Sequence, residues 1–119
     1  MAGNDEEKIG TVKIADEVIA VCVLRATLKT SGVHALSGGL TDNIAKNFLG
    51  KDSAYKGIKI SQSDEGILID VSVIVNYGVK IPAVAWDIQE NVKDEVENIV
   101  DMNVLGVNIH VTGVFTEES

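Results

Sequence analysis

At 119 residues, with 45% hydrophobic but only 4% aromatic content, the chain fits one domain whose core must be built mostly from Val, Ile, Leu and Ala. Ten basic residues against 18 acidic ones give a formal charge of −8, and Coulomb repulsion argues against nucleic acid or anionic lipid as a direct partner. Cys22 is the only cysteine, so no internal disulfide forms, and the longest apolar run, Val18 to Leu24, is too short to insert across a bilayer; the chain reads as soluble and cytoplasmic.

Residues 1–9 carry Asp5, Glu6 and Glu7 and read as a disordered acidic N-terminus. In "GTVKI", Val12 and Ile14 alternate with polar residues, the period of a half-buried strand. Asp16 and Glu17 then favour a helix start, and the helix runs to about Ser31, with Gly32 placed for a left-handed cap. Its apolar run from Val18 to Leu24 has no polar face, which implies burial on more than one side, in the domain or in an oligomer. "VHALS" is a short strand. A short amphipathic helix follows, with Thr41 as N-cap, Leu40, Ile44 and Phe48 at four-residue spacing, and Gly50 as the stop.

"GIKISQ", the turn "SDEG" and "ILIDVSVIVNY" form an antiparallel hairpin, with Ile67, Ile69, Val71, Val73, Val75 and Tyr77 on one face of its long second strand. From Ile81 to about Asp101 the period becomes helical. Ile81, Val84, Ala85, Ile88, Val92, Val96 and Ile99 make the core stripe, Pro82 suits the first turn, and Glu95 falls at the edge of the stripe as an ion-pair candidate. "VLGVNIHVTGVF" alternates Leu105, Val107, Ile109 and Val111 against Asn108, His110 and Thr112, a final strand. The expected fold is α/β (α+β): one two-layer domain over residues 10–115, a mixed β-sheet with helices packed on it, in the order β-α-β-α-β-β-α-β. Residues 116–119 are a tail.

Few residues point to chemistry. Cys22 lies among apolar neighbours that disfavour a thiolate, so it reads as buried and inert. His34 and His110 lack further ligands at zinc-binding spacing. "LSGGLTD" offers Gly38 and Gly39 before a helix N-terminus, a conceivable anion cradle, but matches no phosphate-loop pattern; a plain turn is the simpler reading. Asp87 and Glu90 share a solvated helix face, where carboxylates keep ordinary pKa values unsuited to acid–base work. No catalytic, cofactor-binding or metal residue is therefore assigned. Trp86 differs. At about 100° per residue it falls off the core stripe, near Glu90, Lys93 and Glu97. Either it covers the helix start locally or it anchors an interface, and these four residues are the candidate partner-binding site.

"YGVKIPAVAWDIQENVKDEVENI" followed by "VNIHVTGVF" resembles the alkaline shock protein family of Gram-positive-type bacteria. The matching positions are Gly78, Ile81, Val84, Gln89, Val92, Val96 and Glu97, then Val107, Asn108, Ile109, Val111, Gly113 and Val114, and "GTVKIADEVI" fits the family's opening. Where members carry Thr-Gly-Leu after the long helix this chain has "DMNV", with Asn103 as the substitute left-handed cap. Lys29 and Thr30 replace a usual acidic–aliphatic pair. The resemblance implies a non-enzymatic cytoplasmic protein of the cell-envelope stress response. It would act as a homo-oligomer that binds a membrane-anchored partner protein, or as a regulatory subunit restraining a metabolic enzyme such as one of fatty-acid synthesis. From another class, a small-ligand-binding domain would use the Gly38–Gly39 turn.

Overall fold

The computed structural model describes residues 9–38 and 56–117. The elements are α1 (Asp16–Leu28), β1 (Val33–Leu36), β2 (Ile58–Ser63), β3 (Gly66–Asn76), α2 (Ile81–Val100) and β4 (Val104–Phe115). The expected terminal segments 1–8 and 118–119, Gly39 and the Thr41–Gly50 helix lie outside the described residues.

β3 is the middle of a mixed sheet. β2 pairs with it as the expected hairpin, from Ser63↔Gly66 to Ile58↔Val71. β1 pairs antiparallel with the far end of the same strand, Val33↔Val75 to Leu36↔Val73. β4 runs parallel to β3, from Ile67↔Val104 to Asn76↔Phe115. A strand has two edges, so β1 and β2 lie end to end along one edge of β3 and β4 takes the other. The period-two pattern then sends Ile67, Ile69, Val71, Val73 and Val75, all fully buried, to the face covered by the helices. The helices lie side by side there: Lys29 Nζ meets Glu95 Oε1 at 3.4 Å, and Asn91 Nδ2 donates to Thr30 Oγ1 at 2.9 Å. The two residues that depart from the family's usual pair thus tie α1 to α2, and Glu95 is an ion-pair partner as expected. Two layers, one helical and one of mixed sheet, are the fold the sequence implied.

Several elements differ in detail. Residues 11–14 are not a strand: Val12 is exposed, and the Ile14 carbonyl accepts from the Gln62 side chain rather than from a ladder partner. Alternation alone makes no strand when β2 offers only a side chain there. α1 ends at Leu28, three residues early, and Gly32 serves the following turn at φ +97°, where a Cβ would stand 2.8 Å from Val84 Cγ2. Val18, Val21 and Leu28 remain exposed, so the described residues do not cover α1 on all sides. In α2, Ile99 is 57% exposed, Ile81 is partly so, and Val100 takes the buried position, because the stripe drifts as the helix ends. Asp101, not Asn103, supplies the left-handed cap at φ +61°. Tyr77 lies beyond the end of β3 and is exposed. A bulge between Val104 and Gly106 turns Leu105 outward and buries Val104 instead.

Candidate functional site

Trp86, Glu90, Lys93 and Glu97 follow one another by four, three and four residues and so share a stripe along α2. All are on ordered helix, and Trp86 is 60% exposed. Glu97 does not wait for a partner: its Oε2 accepts from the Val104 N–H at 3.0 Å and its Oε1 from Lys93 Nζ at 3.4 Å. Gln89 Nε2 donates to the Val107 carbonyl at 3.0 Å. These bonds fix how α2 lies on the sheet. Glu97 to Gln89 is about 12 Å along a helix, and Val104 to Val107 is about 10 Å along a strand, so α2 runs antiparallel over β4. Trp86 lies one further turn in that direction and about 60° round the helix from Gln89, on the outer flank of β4. The sequence placed Trp86, Glu90, Lys93 and Glu97 on one stripe; it gave no sign that Gln89 and Glu97 bond strand backbone, because neither bond has a periodic signature.

The outer edge of β4 continues this surface. Ser72 and Asn76 exchange backbone bonds with Ser37, Gly57 and Gly32 on the β1/β2 side, while the Ile67 and Tyr77 N–H groups donate to Asn103 and Phe115 on the β4 side. Odd-numbered β3 residues therefore serve β4, and by the parallel register Asn108 and His110 bond inward to β3. Val107, Ile109 and Val111 direct their N–H and C=O groups outward.

The face of the sheet away from the helices carries a polar cluster around a depression of about 590 Å³ lined by Gly57, Lys59, Asp70, Ser72, His110 and Thr112. Asp70 Oδ1 accepts from Asn108 Nδ2 at 3.1 Å and meets His110 Nε2 at 3.3 Å, and Thr112 Oγ1 donates to Ser37 Oγ at 2.8 Å. A carboxylate-oriented imidazole invites comparison with a nucleophile's base, but Thr112 Oγ1 donates to Ser37 Oγ, and no hydrogen bond joins a described hydroxyl, that of Ser72 opposite in the register included, to His110. His34 stacks on Phe115 with ring centroids 3.8 Å apart. No group of three or more His, Cys, Asp or Glu stands together as a metal cage among the described residues. Cys22 is buried, and desolvation first, then the Glu95 charge, pushes its thiol pKa up, the reverse of an activated nucleophile. Gly38 is exposed with nothing within 4 Å of a Cβ, so its left-handed φ answers a turn, not a close approach.

Asp70 is held below its usual carboxylate value by the hydrogen bond from His110, then by that from Asn108; Glu97 is held low first by the Val104 N–H. A depressed folded-state pKa adds stability above the unfolded value and loses it as pH falls through the folded value. Asp70→Asn and Glu97→Gln should therefore be less stable than the parent at neutral pH, with the gap closing in acid below the normal carboxylate range. Urea unfolding of the three proteins across pH checks this, and a gap that persists unchanged in acid contradicts it.

The sequence model of the alkaline shock protein family, described as having cell envelope-related function, matches residues 4–116. YqhY of Bacillus subtilis is 35% identical over 111 residues, covering 93% of this chain and 82% of that protein. A stress response regulator gls24 homolog of Streptococcus pyogenes is 24% identical over 109 residues, covering 92% of this chain and 61% of the homolog. Among solved structures, MamM-CTD 215-293 superposes with a TM-score of 0.51 at 12% identity, over 83% of this chain and 99% of that one. At that identity the likeness is one of fold alone. No described helix is long and apolar enough to cross a membrane.

Proposed function

Since the chain belongs to the alkaline shock protein family, whose function is cell envelope-related, we infer that it is a non-enzymatic interaction protein of the envelope stress response, acting in the cytoplasm by self-association and by binding a membrane-anchored partner protein. The observation that carries this reading is Trp86, 60% exposed on a helix whose flank is pinned to β4 by Gln89 and Glu97. Leaving the chain's single tryptophan in water forgoes its burial, and a large aromatic side chain on a rigid support loses little entropy on docking. The exposed Val18, Val21 and Leu28 of α1 add apolar area on the other helix.

Trp86→Ala should weaken self-association by about 2 kcal/mol or more, roughly thirtyfold in dissociation constant, while changing folding stability by about 0.5 kcal/mol or less. Light scattering over a concentration series, with urea unfolding alongside, measures both. Unchanged association, or a large loss of stability, overturns the assignment of Trp86 as an anchor. The kinship with a protein named as a stress response regulator favours a second reading, a regulatory subunit restraining an enzyme. Capture with the parent and the Trp86→Ala protein as baits separates the two: a membrane-anchored protein retained only by the parent supports the first, an enzyme whose activity falls on binding the second.

A further inference from the structure

We propose that the outer edge of β4 is a strand-pairing surface whose occupant is β4 of a second copy, antiparallel to the first about a two-fold axis at Ile109. The proposal rests on the self-association reading and names the contact that performs it.

β4 is an edge strand of 12 residues, paired with β3 on one side alone among the described residues. Edge strands in soluble proteins are commonly blunted by charge or proline, because a row of free N–H and C=O groups is a template for another strand. "VLGVNIHVTGVF" contains no Asp, Glu, Lys, Arg or Pro. In a chain of formal charge −8, like charge opposes contact between copies through acidic surface, whereas this strand itself contributes no charged side chain to such a contact. α2 shields only the beginning of the edge, through Glu97 on the Val104 N–H and Gln89 on the Val107 carbonyl. No hydrogen bond from a described residue reaches the outward groups of Ile109 or Val111.

Symmetry and register then narrow the pairing. Facing residues of an antiparallel pair must point to the same side of the sheet, so for two identical strands the axis falls on a residue, never between two. Bulges at Leu105 and Thr112 leave Gly106 to Val111 as the regular stretch. Within it, an axis at the outward-facing Ile109 sets Val107 opposite Val111 of the second copy and Asn108 opposite His110 of the second copy. Gln89 releases the Val107 carbonyl to the incoming strand, and Trp86, beside Gln89, flanks the joint. The result is one sheet continuous through two copies, with both helical layers on the same face of it.

Amide hydrogen exchange on the full chain, dilute and concentrated, tests the contact without a variant. On association the Ile109 and Val111 amides should slow by about tenfold or more relative to the monomer, while Asn108 and His110, already bonded to β3, change little. The Asn108→Lys/His110→Lys protein, which sets lysines opposite one another across the axis, should associate at least about tenfold more weakly. If the parent associates while Ile109 and Val111 exchange at their monomer rates, the β4 contact is wrong and self-association proceeds elsewhere. If the parent stays monomeric at every concentration, this proposal and the self-association reading fall together.

Discussion

Gly66→Ala should cost about 3 kcal/mol of folding stability, from backbone strain and overpacking together. Gly66 closes the β2–β3 hairpin at φ +148°, and a Cβ there would stand 2.5 Å from the Asn103 carbonyl oxygen and 3.0 Å from Leu105 Cγ. The Leu105 side chain can turn aside, but the Asn103 oxygen cannot, because it already accepts the Ile67 N–H at 2.9 Å and so fixes where β4 begins. The substitution therefore strains a turn and pushes at the first parallel bond of the sheet. Urea unfolding measures it; a change of less than about 0.5 kcal/mol, the scale of an ordinary surface substitution, would show that the turn relaxes freely.

Ile69→Ala should cost roughly 2–5 kcal/mol, the range for truncating a fully buried aliphatic side chain. Ile69 has 0% exposure, lies between Ile60 of β2 and Val107 of β4, and points into the helical layer. A domain this size has only about 5–15 kcal/mol in total, so the variant approaches the limit of folding. Leu68→Ala, one position away on the opposite face and 39% exposed, should cost about 1 kcal/mol or less. Equal costs at the two positions would contradict the two-layer arrangement, since both faces of β3 would then be equally buried.

The contrast between those neighbours was legible in the sequence, because a period of two is enforced by the pleat of the strand itself. The same holds for Val84, Ile88, Val92 and Val96 on α2 and for the place of Trp86 off that stripe, which follow from the helical period alone. What escaped reading was set by contacts between distant segments. Val12 and Ile14 alternate like a strand, yet β2 meets that segment through the Gln62 side chain. That β1 and β2 share one edge of β3, and that β4 runs parallel on the other, depends on pairings with no local signature. The bulge that exchanges Val104 for Leu105 inserts one residue into an otherwise regular pattern, and a one-residue slip reverses the side chains before it. Within the candidate site, the stripe of Trp86, Glu90, Lys93 and Glu97 came from the sequence. Glu97 as the hydrogen-bond acceptor for β4, Gln89 as its companion, and the uncharged strand edge beside them required the packed structure.

That edge and Trp86 together are the basis for proposing that this protein docks through the α2–β4 flank. The chain's single tryptophan is its own reporter. Tryptophan emission, followed as the purified protein is concentrated from a dilute monomer, should move to shorter wavelength in step with the rise in scattering mass, as Trp86 leaves water. A scattering mass that rises while the emission stays at its water-exposed position would place the association elsewhere and rule out docking through the α2–β4 flank.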